Sequence, residues 1–143
     1  MRNCFYIIAI IFLFISCKKE TLPTEPTIEL VSVSSTNVIQ FKDSVIIKIK
    51  YKDNNGDIGD ESADEYSLQI KDSRLPNPDM QHIKPLAPVS SNVKIEGELS
   101  VKLNALFLLG NGTTETTVFT IKLKDRANNW SNEITCSPIT ISQ

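Results

Sequence analysis

The sequence has one histidine, His82, three cysteines and no sustained helical periodicity. A single imidazole excludes a histidine-built zinc site. It also leaves a hydrolase with His82 alone as its base, in the proline-rich stretch DMQHIKP, which offers no scaffold to orient it. Basic residues are not in excess: 15 Lys and Arg stand against 17 Asp and Glu. A nucleic-acid-binding domain carries a basic patch, so that class is excluded. The long apolar run FYIIAIIFLFI (Phe5 to Ile15) has eleven residues, whereas a bilayer-spanning helix needs about 20. No nucleophile, base and orienting group can be assembled from these residues, and we expect no enzymatic activity.

What is present begins at the N-terminus. Arg2 precedes the apolar run, and the run leads into FISCKKE, with small Ser16 directly before Cys17. A short charged segment, an apolar segment and a small residue make a secretory signal. The FISC stretch resembles the lipobox of bacterial lipoproteins, with Phe14 where leucine is usual, as in the looser lipoboxes of Bacteroidetes. The resemblance implies that residues 1–16 are a signal peptide and that Cys17 is acylated and becomes the first mature residue. An ordinary signal cut elsewhere, with Cys17 incidental, is the competing reading. Acylation implies an envelope address, outer membrane foremost, with the lipid as the membrane partner. Lys18 and Lys19 would then meet head groups. Some Bacteroidetes lipoproteins carry acids after the cysteine as a surface-export signal; CKKE supplies only Glu20.

With Cys4 removed and Cys17 lipidated, Cys136 is a lone thiol that cannot close an internal disulfide. The domain must then be held by its core in an oxidising compartment. Cys136 lies two residues after Ile134 and is expected inside, as a small apolar residue. Residues 17–27 read as a tether, its KKETLPTEPT segment spanning roughly 30 Å at about 3.1 Å per residue. Residues 28–143 are long enough for one domain with one core.

From Thr27 onward the pattern has period two. Val45, Ile47, Ile49 and Tyr51 alternate with Lys48, Lys50 and Lys52; Tyr66, Leu68 and Ile70 alternate with Ser67, Gln69 and Lys71. Leu99, Val101 and Leu103 form a third such set, and Phe119, Ile121 and Leu123 a fourth. Each is a strand with one wet face. TIELVSV opens the series and EITCSPITIS closes it, with a change of parity at Pro138 that predicts a bulge and an edge position. NALFLLGN could add one helical turn. About seven strands separated by turns describe an all-β, antiparallel two-sheet sandwich.

Two motifs carry a family resemblance. YKDNNGDIGD (51–60) is similar to the DGDGDIG signature of small Bacteroidetes lipoproteins with immunoglobulin-like domains. KDRANNWSN (124–132) resembles the DxAGNxS turn between the last strands of bacterial immunoglobulin-like and fibronectin type III-like domains. Asn128 stands where glycine is common, a position asparagine can fill in a left-handed conformation. The resemblance implies the immunoglobulin-like form of the sandwich.

The first motif raises a question of chemistry. Asp53, Asn55 and Asp57 place side-chain oxygens at alternate residues, as a calcium loop does, but Ile58 occupies the sixth position where helix-loop-helix sites require glycine. By parity, Asp53 and Asp125 both leave their strands toward the space between the sheets. A structural calcium ion held by Asp53, Asn55, Asp57, Asp60 and Asp125 is one expectation. The other is that Asp53 and Asp125 cap their own turns through backbone N–H groups.

Trp130 is a candidate for ligand contact by stacking on a sugar, against the alternative that it covers one end of the core. Asp43-Ser44-Val45 resembles a Bacteroidetes O-glycosylation site at Ser44. The functional expectation is a non-catalytic binding or accessory module on the envelope, meeting a protein or glycan through loops or an edge strand. The alternative is a structural subunit of an outer-membrane complex with no ligand of its own. A binding module should expose an apolar patch around Trp130 and the 73–89 connection.

Overall fold

The computed structural model describes residues 23–104 and 106–143. The signal segment 1–16, Cys17 and most of the tether lie outside the described residues. Ten strands follow one another: β1 (Thr27–Val33), β2 (Asn37–Ile39), β3 (Val45–Asp53), β4 (Leu68–Asp72), β5 (Asp79–Gln81), β6 (Ile95–Leu103), β7 (Thr114–Thr117), β8 (Phe119–Leu123), β9 (Ile134–Thr135) and β10 (Ile139–Ser142). There is no helix among the described residues, and therefore none long and apolar enough to cross a membrane.

β3 sits at the centre of the first sheet, ordered β1-β3-β6. Its alternation is strict where it matters: Val45, Ile47 and Ile49 are fully buried, while Lys48, Lys50 and Lys52 face water. β6 pairs with it antiparallel along nine residues, from Val45↔Leu103 to Asp53↔Ile95. β1 covers its other edge, with a bulge between Leu30 and Ser32.

The second layer has β5-β4-β8-β9 on one side and β2-β10-β7 on the other. Only Val118 separates β7 from β8, and only Cys136–Pro138 separates β9 from β10. The Cys136 N–H donates to the Phe119 carbonyl at 2.9 Å, so pairing continues through the break. These segments are two long interrupted strands, and the layer is one sheet. The protein is thus an all-β, two-layer sandwich, antiparallel except for one parallel pair, β2 with β10.

Between the layers lie Ile28, Ile47, Ile49, Ile121, Leu123, Ile139 and Ile141, each at most 2% exposed. Burying each such side chain stabilises the fold by about 1.5–3 kcal/mol. The parity change at Pro138 occurs as expected: Cys136, Ile139 and Ile141 are all buried and Ile134 packs against the core.

Several expectations are corrected. Ten short strands replace about seven, because β2 and β5 are added and two long strands are each interrupted. Tyr66 is 47% exposed and precedes β4, while Ser67 turns inward. β10 is not at an edge, since β2 and β7 flank it; only the short β9 is. Within the segment expected as a tether, Pro26 is buried and Thr27 begins β1. The NALFLLGN segment makes no helical turn among its described residues.

Candidate functional site

The strands define two poles. At the first, β3 ends on Asp53, β8 runs on to Asp125, and the chain enters at Thr27, opposite Lys52. Asp53 is 1% exposed and Asp125 wholly buried. An isolated bridge joins Ile58 to Asp125, and the Arg126 N–H donates to the Asp57 carbonyl at 3.0 Å. The parity of two strands in different sheets therefore brings the two loops together.

Both aspartates cap their turns. Asp53 Oδ2 accepts the Asp57 N–H at 2.8 Å, and its Oδ1 accepts the Asn55 N–H at 3.4 Å. Asp125 accepts the Asn129 N–H at 2.7 Å and the Asn129 side-chain amide at 2.9 Å. Gly56 and Gly59 hold the first loop at φ +71° and +85°. A Cβ on Gly59 would stand 2.4 Å from the Lys84 carbonyl oxygen, so only glycine lets the 73–89 connection pack here. The loop's carbonyls find partners: Ile58 O accepts from Leu86 N–H at 3.1 Å, and Gly59 O accepts from Arg126 Nη1 at 2.9 Å.

Two oxygens do not. Asn55 Oδ1 and Asp57 Oδ1 are buried, each exposing less than 1 Å², without a hydrogen-bond partner. A buried oxygen left unpaired costs about 1–3 kcal/mol. Burial, then the charges of Asp125 and Asp53, push the Asp57 carboxyl above the usual carboxylate range, with Arg126 opposing them. Asp60 caps its own turn through the Ser62 N–H at 2.9 Å and shares a cavity with Asp125 and Arg126. Among the described residues, no three acidic, histidine or cysteine side chains converge to hold a metal by themselves. Any cation here would need the Asn55 amide oxygen and water as well.

The remaining candidates separate. Trp130 is half-buried and lies on the side of the second sheet, with Lys122 Nζ 5.2 Å above its ring. It does not cap the core, and the lysine occupies its face. His82 Nδ1 lies 3.0 Å from the Glu65 carbonyl oxygen. Cys136 is 3% exposed, and burial pushes its thiol up to about 11. Ser44 is exposed.

The opposite pole carries what sequence reading missed. Phe41 is 71% exposed, and its backbone adopts φ +57°, a region an aromatic residue enters at a cost of about 1–3 kcal/mol. Its ring stacks on that of half-exposed Phe107, with centroids 5.8 Å apart and planes 4° from parallel. The platform is held from behind. Asp43 Oδ2 accepts the Ile39 N–H at 2.8 Å, and the Phe41 N–H donates to the Leu106 carbonyl at 3.0 Å. Arg74 Nη1 donates to the Phe107 carbonyl and to Glu115 Oε2, both at 2.9 Å.

Arg74 also grips Asp72 with Nε and Nη2, and Thr117 donates its hydroxyl to the same carboxylate. Burial alone would raise the Asp72 pKa; the hydrogen bonds from Arg74 and Thr117 outweigh it and hold the carboxyl below its usual range. The N–H groups of Leu109 and Gly110 donate to Glu115 and lower its pKa in the same way. Ile39 and Leu109, each two residues from a ring, are also exposed, at 39% and 45%. The most exposed aromatic surface thus lies at the pole away from Thr27, while in the 73–89 connection Met80 and Val89 are exposed, at 37% and 45%. No protein-family model, no curated protein and no solved structure matches the chain.

Proposed function

We propose that the chain is a lipid-anchored, non-catalytic binding module of the cell envelope, tethered through Cys17, and that it meets a partner protein with the Phe41–Phe107 pole. The observation that carries this is an exposed aromatic held in a strained backbone conformation at the end of the sandwich remote from Thr27. Strain kept at an exposed ring, supported by a partly buried ion-pair network, is a feature of contact sites rather than of packing. The rings are flanked by Ile39 and Leu109, while Arg74 and Glu115 are paired with each other. The patch thus offers apolar area with few free donors, which fits a protein surface better than a sugar. The lipobox-like FISC sequence supports the anchor, and the entry of the chain at the acidic pole would aim the aromatic pole away from the lipid.

Affinity purification from native membranes after crosslinking tests this, with the wild-type chain compared with Phe41→Ala and Phe107→Ala. A partner recovered with the wild type and reduced at least tenfold with both variants, at unchanged melting temperature, supports the reading. Equal recovery with all three overturns it. Cys17→Ser should release the chain from the detergent phase, and retention there would remove the anchor from the account.

A further inference from the structure

We infer that the free edge of β6 is a docking site for an extended segment of a partner protein, which adds to the first sheet as an antiparallel fourth strand of alternating apolar and polar residues. This surface is separate from the Phe41–Phe107 pole and goes beyond the reading given to it. The first sheet ends at β6, whose nine residues pair with β3 on one side only. Among the described residues, no backbone group of a turn or loop bonds residues 95–103 on the other side.

The remaining edges are blunted. β1 carries a bulge between Leu30 and Ser32, and Asn132 bonds both backbone groups of Ile28. β2, β5, β7 and β9 have four residues or fewer. β6 is long and regular: its register with β3 runs without a shift, it holds no proline, and no charged side chain faces inward. An edge left open in this way is a template for strand addition.

A cavity of about 380 Å³ lies along the same edge. Residues of both parities in β6 line it, Leu99 and Val101 from the inner face and Ser100 and Lys102 from the outer, and Leu68, Ile83 and Leu86 close it from the opposite side. An added strand would send every second side chain into this space, so those residues must be apolar. The outward residues read charge. Glu98 and Lys102 face water and neither forms an ion pair among the described residues, whereas Glu96 already holds Lys50 at 2.6 Å. Opposite charges across a ladder stabilise pairing and like charges oppose it. Read from its N-terminus, the partner segment therefore carries acid, apolar, polar, apolar and base opposite Lys102, Val101, Ser100, Leu99 and Glu98.

The test uses the fluorescent peptide TEVTVKVKT, which has that order, and the full-length chain in detergent. Anisotropy should show saturable binding at one peptide per chain, and amide hydrogen exchange should slow within residues 95–103. The charge-reversed peptide TKVTVEVET should bind roughly tenfold more weakly. Glu98→Lys should cost about fivefold against TEVTVKVKT and regain it against TEVTVEVKT, in which an acid meets the new lysine; a variant that failed to fold would bind neither. Phe41→Ala should bind the peptide as the wild type does, which separates this edge from the aromatic pole. No saturable binding, equal binding of the reversed peptide, or slowed exchange only outside 95–103 overturns the assignment. So does a chain that sediments as a dimer on its own and as a monomer with Glu98→Lys, because the occupant would then be a second copy.

Discussion

The side-chain amide of Asn132 bonds both backbone groups of Ile28, accepting its N–H at 2.9 Å and donating to its carbonyl at 2.8 Å. It stands in for a strand: a residue from the last turn of the second sheet completes the ladder of β1 in the first. Ser131, beside it, accepts the Leu123 N–H at 2.9 Å, which anchors that turn to β8. The SN pair of the KDRANNWSN motif is therefore a clamp between layers.

Asn132→Ala should destabilise the fold by about 1–3 kcal/mol, since it leaves the Ile28 groups without a partner. Asn132→Asp should be worse, because an acceptor would then face the Ile28 carbonyl. Urea unfolding measures both, and an unchanged slope with a lower midpoint separates loss of stability from a change in compactness.

Cys136 should resist alkylation in the folded protein and react on unfolding. Burial raises its thiol to about 11, so little thiolate exists at neutral pH, and the side chain is enclosed. Iodoacetamide labelling followed across a urea series, read by peptide mass, should track the unfolding curve. Rapid labelling of the native protein would place the last strand differently.

Acid should loosen the aromatic pole first. The folded pKa values of Asp72 and Glu115 lie below their ordinary values of 3.8 and 4.5. Their contribution is present above those ordinary values and is lost as pH falls through the depressed folded ones. Asp72→Asn should lower stability at neutral pH and flatten the decline below about pH 4. Melting temperature against pH for the two proteins measures it, and parallel curves would contradict the role given to Asp72.

How far the sequence spoke depends on the range of the interaction. Period-two alternation is a local signal, and it placed β3, β6 and β8 with the correct faces inward. It also turned Asp53 and Asp125 toward the space between the sheets, where both are buried, because parity continues past the end of a strand. Asn128 took the left-handed conformation, at φ +68°, that its place in the turn implied. Pairing between distant segments left no local trace. β2 has three residues and exists because β10 lies beside it; Phe41 and Phe107 meet only because the fold closes; Arg74 reaches Glu115 across 41 positions. Tyr66 misled for the opposite reason: it keeps the parity of Leu68 and Ile70, but the strand begins after it.

The most direct measurement of the central claim places a photocrosslinking aromatic amino acid at position 41 in cells, with the same group at position 60 as a control at the opposite, acidic pole. A discrete protein adduct from position 41 and none from position 60 is the expected result. No adduct at 41, or the same adduct at both positions, would contradict an account in which the Phe41–Phe107 pole is the face presented to a partner.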